Sequence, residues 1–299
     1  MLTAGLPLGG ATLFGLFAAA CWGGGDFGGS IAVKKMGGTL RASLLVVVIG
    51  HTTSLAVLAL IAAALHSALP SVRSAEWGVA GGVLSGISLI AFYFALSSGH
   101  MGSAASVSGL LCAAIPAAVS EVTEGLARWP QFAGFALAAA AIWLIASVSG
   151  ESGAGSRRVT LLAAASGVGF GCYFVALKQA GLSGVLWPTV FARIGSAGVC
   201  ILLLAASYLG TRGRAGQAGN GPNRATLLWI LGGAALDLFG NLSYMQATRL
   251  GRLDVAAVLA SIYPAGTILL AAWLLHEKTT GRQRLGMALA LPAVVLITL

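Results

Sequence analysis

Apolar runs of near-membrane length recur along the chain, separated by short polar breaks. No Asp, Glu, Lys or Arg occurs within Ala42–Leu65, Trp77–Gly99, Gly102–Ser120, Trp129–Gly150, Val159–Leu177 or Val255–Leu275. About 20 apolar residues in a helix cross a hydrocarbon core of roughly 30 Å. Lipid offers no partner to a bare backbone, so such runs must be helices that satisfy their own hydrogen bonds. The pattern predicts ten spans, at roughly 11–33, 41–65, 77–98, 102–123, 130–149, 159–178, 187–209, 226–248, 254–275 and 281–298. Gly210–Arg224, rich in Gly, Asn and Arg, reads as a loop, and so does the mid-chain break Gly150–Arg158. The expected fold is an all-α membrane protein.

The two halves of the chain resemble each other. Helices 3 and 4 join through Ala95-Leu96-Ser97-Ser98-Gly99-His100-Met101-Gly102-Ser103-Ala104. Helices 8 and 9 join through Ala247-Thr248-Arg249-Leu250-Gly251-Arg252-Leu253-Asp254-Val255-Ala256. Glu124 and Glu277 close the helices that follow, each trailed by a glycine, Gly134 and Gly286. Ile49-Gly50 and Ile194-Gly195 match between helices 2 and 7. This is the signature of an internal duplication. A unit of five helices re-enters from the opposite side, so residues 1–150 and 156–299 are expected to form two inverted five-helix repeats around a central cavity. Many secondary transporters use that architecture for alternating access.

Composition narrows the class. Hydrophobic residues make up 58% of the chain and charged residues 8%, too few charges to cover a water-soluble surface. The net charge of +9 would suggest nucleic acid in a soluble protein. Here the basic residues cluster at helix ends without interleaved aromatics, so no nucleic-acid partner is expected. Cys21, Cys112, Cys172 and Cys200 lie in apolar runs, in no metal-binding spacing, and read as buried thiols. The first apolar segment lacks a basic leader and reads as a retained helix, not a signal peptide.

Ionisable groups inside a span cost about 2.5–3.5 kcal/mol each at mid-depth, so they point to function or to a compensating partner. Asp26, His51, Arg193 and Asp237 are the candidates, with Glu121 near the end of helix 4. Asp26 follows Gly25 in a glycine-rich segment. It reads either as a titratable or substrate-binding carboxylate or as half of an ion pair. Arg193 reads as the counter-ion of Asp26 or Asp237, or as a binder of anionic substrate groups. Asp237, Asn241 and Tyr244 share one helical face, a polar stripe that should look into the cavity. His51 reads as a packing histidine or a pH sensor. Asp26, Asp237 and His51 are thus the proton-coupling candidates. Tyr263-Pro264 predicts a kink in helix 9. Trp22, Tyr173, Tyr244 and Tyr263 are candidates for aromatic cavity walls, whereas Trp187 and Trp229, near helix starts, read as headgroup anchors. Gly78, Gly82 and Gly86 form a packing stripe on helix 3. Glu124 and Glu277 read as loop caps or as partners of Arg128 and Lys278.

Several of these segments resemble the EamA-type transporters of the drug/metabolite transporter superfamily. Trp22-Gly23-Gly24-Gly25-Asp26-Phe27-Gly28-Gly29 is similar to that family's first-helix signature, and Gly169-Phe170-Gly171 through Phe174-Val175-Ala176-Leu177-Lys178 to its second copy. Ala257 to Tyr263-Pro264, then Leu275-His276-Glu277-Lys278, resembles the ninth-helix block. Cys112 stands where Pro264 stands in the second copy, with Pro116 one turn later. The resemblance implies a ten-helix bundle around a central cavity, a small organic solute as cargo, a bacterial inner-membrane location and cytoplasmic termini. The loops after helices 1, 3, 5, 7 and 9 carry eleven Lys and Arg against five in the others, which by the positive-inside rule places the termini outside.

These observations favour a secondary transporter of amino-acid-like or drug-like metabolites, proton-coupled or facilitative, working as a monomer or homodimer. No Walker A motif appears, so ATP is not the direct driver; no enzyme activity, cofactor or metal is expected. The alternatives are a scramblase or channel, or an intramembrane aspartyl protease. The last rests on the GxGD match of Gly23-Gly24-Gly25-Asp26 with Asp237 as a second carboxylate. Against it, Asp237 follows Leu236 and not a Tyr, and the PAL-like element reads Leu291-Pro292-Ala293.

Overall fold

The computed structural model describes residues 9–97, 101–146, 154–209, 221–276 and 280–298. Among these residues the chain forms α1 (Gly9–Lys35), α2 (Leu40–Ala64), α3 (Val72–Ser97), α4 (Met101–Thr123), α5 (Trp129–Ala146), α6 (Ala154–Ala180), α7 (Leu186–Leu209), α8 (Arg224–Leu250), α9 (Leu253–Ala260), α10 (Tyr263–Leu274) and α11 (Gly281–Thr298), with no strand. Six segments are long and apolar enough to cross a membrane: Leu40–Ala64, Val72–Leu96, Arg157–Ser183, Leu186–Leu209, Arg224–Leu250 and Leu253–Leu274. Shorter apolar helices accompany them. The protein is a multi-pass helical membrane protein.

Local chemistry sets the helix ends. The Thr39 hydroxyl accepts from the Ala42 N–H at 3.1 Å and starts α2, and the Asn223 side chain accepts from the Thr226 N–H at 2.9 Å and starts α8. A 3-10 turn over Gly181–Ser183 ends α6, and Gly184 follows at φ 126°, a conformation that only glycine adopts without strain.

The structure revises the sequence-based boundaries at three places. The ninth apolar run is two helices, α9 and α10, parted at Ser261 and Ile262. Pro264 sits in the first turn of α10, where its missing N–H costs nothing. Arg157 and Arg158, expected in a loop, lie inside α6, and Arg224 opens α8. The remainder of the two expected loops, 150–153 and 210–220, falls outside the described residues.

Small residues bring the rods together. On α3, a Cβ at Gly78 would stand 2.9 Å from the Pro188 carbonyl oxygen of α7, and one at Gly86 would stand 3.0 Å from that of Ser196. Between them, Gly82 lies directly against the Ala192 carbonyl, and Gly195 of α7 answers against Val79. The stripe on helix 3 is therefore the α3–α7 contact. α1 also lies close to α8, where a Cβ at Gly25 would stand 3.1 Å from the Gly233 carbonyl oxygen and one at Gly28 would stand 3.3 Å from that of Trp229. α5 and α11 pair with each other beside α4.

Side-chain contacts sort the helix ends into two sets. Arg41, in the first turn of α2, donates to the Ser207 carbonyl near the end of α7 at 2.7 Å, and Arg158 lies over the Phe94 ring. At the other end, Ser74 donates to the Ala180 carbonyl and Trp187 donates to the Ser67 carbonyl at 2.9 Å. Trp187 thus sits at a helix end, as the sequence suggests. Trp229 packs edge-on against Phe27.

The α3–α7 contact yields a direct expectation. Gly82→Val forces a branched side chain into the Ala192 backbone and should destabilise the protein by about 3 kcal/mol. Gly198→Ala, where a Cβ meets nothing within 4 Å, should be neutral or slightly stabilising, because alanine is the better helix former. Unfolding of the purified variants in detergent measures both.

Candidate functional site

The close α1–α8 and α1–α10 contacts fix the site. Gly25 against Gly233 brings the next residue on α1, Asp26, beside Asp237 of α8. On the α10 side, Gly23 abuts the Tyr263 carbonyl, where a Cβ would stand 2.7 Å away. The Thr267 hydroxyl donates to the Gly23 carbonyl at 3.1 Å. The result is a cavity walled by Trp22 and Asp26 (α1), Ser85 and Leu89 (α3), Cys112 (α4), Phe170, Tyr173 and Phe174 (α6), Asp237 (α8) and Tyr263 (α10). It is narrow, leaving about 30 Å³ free, room for a water or two.

A connected set of polar side chains runs from this cavity into the protein. Arg193 is 2% exposed, and its Nη2 meets Asp237 Oδ2 at 2.6 Å. Its Nη1 donates to His51 Nε2 at 3.1 Å. That assigns His51 the Nδ1–H tautomer, which donates to the Ser196 hydroxyl at 2.7 Å. On the cavity side, Asn241 Nδ2 donates to the Asp237 backbone carbonyl at 2.6 Å and to Oδ1 at 3.2 Å. The Tyr173 hydroxyl donates to Asn241 Oδ1 at 2.6 Å. Helices α2, α6, α7 and α8 are thereby tied to one carboxylate. A buried charge is tolerable only in such company, because desolvation otherwise exceeds what the membrane-spanning fold can supply.

A second charged cluster joins α4, α6 and the α8–α9 turn. Lys178 is ion-paired with Glu124. Glu124 also accepts from the Leu253 N–H at 3.1 Å. Arg252 contacts Asp254 at 2.7 Å and Glu121 at 3.8 Å, and it donates to the Gly125 carbonyl at 2.8 Å. Glu124 therefore takes Lys178 as its partner, where the sequence suggested Arg128. Loop position alone cannot show that α6 ends beside α4. The corresponding Glu277 and Lys278 lie outside the described residues.

The expected site residues fall into three groups. Trp22, Asp26, Tyr173, Asp237 and Tyr263 line the cavity. Arg193, Asn241 and Tyr244 stand behind that wall: Arg193 and Asn241 through the polar network, and Tyr244 stacked on Phe174 at 4.3 Å and tilted against Trp22 at 5.6 Å. His51 lines a smaller adjoining cleft that also reaches Asp237. Gly25 and Pro264 do not line the cavity. Gly25 is spent on the α8 backbone, and Pro264 packs at 3.1 Å from where a Gly109 Cβ would stand.

Sequence reading missed Ser85, Leu89, Cys112, Phe170 and Phe174 as wall residues. The duplication carried a signal for three of them. The 152-residue offset that pairs Ala95 with Ala247 also pairs Ser85 with Asp237 and Cys112 with Pro264. The 144-residue offset that pairs Lys34 with Lys178 pairs Asp26 with Phe170.

The described helices thus form a multi-pass membrane bundle in which polar side chains converge on an internal cavity. Residues 157–299 match the model of the EamA-like transporter family. A solved structure titled only "Crystal structure of protein" superposes on 96% of this chain and 95% of its own length. Its TM-score is 0.69 at 18% identity, a likeness of fold. No curated protein matches the chain.

The Asp237–Arg193 pair makes a testable claim. Arg193→Met strands a carboxylate among buried groups and should cost about 3 kcal/mol of stability. Adding Asp237→Asn should return part of that loss. A double-mutant cycle read by unfolding in detergent gives the coupling.

Proposed function

We propose that the chain is a secondary transporter that moves small organic solutes across a bacterial inner membrane by alternating access. In this reading residues 1–150 and 156–299 are two inverted repeats, and α9 and α10 together form one of ten spans. The observation that carries the reading is the cavity itself, which draws its walls from both halves and holds two carboxylates, Asp26 and Asp237. The helix contacts support the repeat, because they come in pairs that exchange when the halves are exchanged. α1 with α8 answers α6 with α3, and α1 with α9 answers α6 with α4.

The Glu124–Lys178 and Arg252 cluster bridges the halves at one end. In this reading it holds that end closed, and the narrow cavity is the contracted state between loading and release. Opening toward either side then needs the halves to rock, as inverted repeats permit. The cavity lies within one chain, which supports a working monomer. A protease dyad fits poorly. Two catalytic carboxylates share a proton, whereas Asp237 is held by Arg193 at 2.6 Å.

Proteoliposome uptake and exchange with a mixed pool of labelled metabolites tests the proposal, with and without a pH gradient. Wild type should carry solute, and Asp26→Asn should lower the flux at least about tenfold. Dependence of the wild-type flux on the gradient, lost in Asp26→Asn or Asp237→Asn, identifies the proton-carrying group. Absence of flux for every solute in the pool contradicts the reading.

A further inference from the structure

The charges around the cavity do not balance. Asp237 is compensated, because Arg193 lies against it and Asn241 caps its other oxygen. Asp26 is not: among the described residues it makes no hydrogen bond or ion pair, although it lines the cavity. Arg193 is no use to an incoming ligand. It is almost wholly buried behind Asp237, with its two terminal nitrogens committed to Asp237 and His51. No basic side chain lines the cavity.

The remaining wall is aromatic. Trp22 stacks on Phe174 with ring centroids 4.9 Å apart and planes 17° from parallel, and Phe170 stands at the position that the duplication pairs with Asp26. The Tyr263 hydroxyl is a second unsatisfied group. Tyr263 is 4% exposed, lines the cavity, and its hydroxyl has no hydrogen-bond partner among the described residues. A phenol oxygen accepts from an N–H donor as readily as it donates.

From this arrangement we infer that the cavity, widened from the contracted state seen here, takes a protonated amine carried on an apolar or aromatic body. It does not take an amino acid or an organic anion. The ammonium group pairs with Asp26 and donates to the Tyr263 hydroxyl, while the body lies against Trp22, Phe170 and Phe174. A cation held over aromatic faces beside a carboxylate gains both from the ring quadrupoles and from the charge. A ligand carboxylate finds no cationic donor here and faces Asp26 and Asp237 across a desolvated space, which repels it. The inference rests on the transport reading of the same cavity and narrows the substrate to one charge class.

The test uses the full-length protein in lipid nanodiscs and four ligands on one ring: phenethylamine (cation), phenylalanine (zwitterion), 3-phenylpropionate (anion) and 2-phenylethanol (neutral). Affinity is read by calorimetry and by ligand-dependent thermal stabilisation. Phenethylamine should bind at least about tenfold more tightly than the other three. Asp26→Asn should erase that preference, bringing the amine to the level of the alcohol, and Asp26→Glu should keep it. Should Asp26→Asn fail to fold, Tyr263→Phe serves in its place, with a several-fold loss for the amine and none for the alcohol. Equal or tighter binding of the anion or zwitterion overturns the inference. So does absence of amine binding, or a preference untouched by Asp26→Asn. Binding needs no flux, so the two readings fail separately. Amine binding without flux would contradict transport alone, and flux of other solutes without amine binding would contradict the charge assignment alone.

Discussion

A carboxylate in the middle of a membrane-spanning helix needs a partner, and in this protein Asp237 finds it in Arg193. The pair sets the geometry around it. Arg193 comes from α7, which packs on α3 and α2, and its long side chain bridges from there to Asp237 on α8. It is held there by His51 on α2 through Nη1 and by the α3 glycines that let the α7 backbone come within touching distance. Asn241 and Tyr173 extend the same network to α6. Removing any one of these supports leaves a polar group facing hydrocarbon or bare protein, which costs more than the lost contact itself.

The same economy explains why, among the described residues, one carboxyl group of the cavity is left unpaired. The pair consumes Asp237 and Arg193, and His51 is neutral in the tautomer its neighbours require. Asp26 is left as the group that a solute can answer. Glycine makes this placement possible. Gly23 and Gly25 press α1 onto α10 and α8, and Asp26, the residue after Gly25, lines the cavity. Far from that point, the Glu124–Lys178 contact and the Arg252 cluster tie α4 to α6 and to the α8–α9 turn. In the proposed cycle these ion pairs, largely buried here, regain water when that end opens, which offsets part of the cost of parting them. A glycine-packed centre does not come apart so cheaply. In the transport proposal the halves would therefore pivot about the α1–α8 and α3–α7 contacts.

Much of the fold is legible in the chain because lipid imposes one rule on every span. Charge-free runs of the right length have to be helices, and the described helices fall within a few residues of the apolar pattern. What the pattern cannot see is a break inside an apolar run. The gap at Ser261 and Ile262 has no charge to mark it, and Pro264 announces it only as a kink. It also cannot place the ends of helices that extend past the hydrocarbon, so Arg157, Arg158 and Arg224 looked like loop residues. In the site, the ionisable residues stood out because each is expensive where it lies, and Asp26 and Asp237 do reach one cavity. The apolar half of the wall was invisible, since Phe170, Phe174 and Leu89 are ordinary residues in an ordinary apolar run. Only the repeat offset singles out Phe170. Gly25 and Pro264 stand outside the cavity lining for a related reason. Sequence shows that a position is special, but not whether it serves a ligand or the packing of a neighbouring helix.

The central claim is that one cavity, containing Asp26, is exposed in turn to the two sides of the membrane. A single cysteine at position 26 in a background without the four native cysteines, probed in sealed vesicles of known orientation, addresses it most directly. A membrane-impermeant thiol reagent added from either side should label this position. Cross-linking cysteines placed at Glu124 and Lys178 should block labelling from that end while leaving the other end open. Labelling from one side only, whatever the state of the cross-link, would contradict the account.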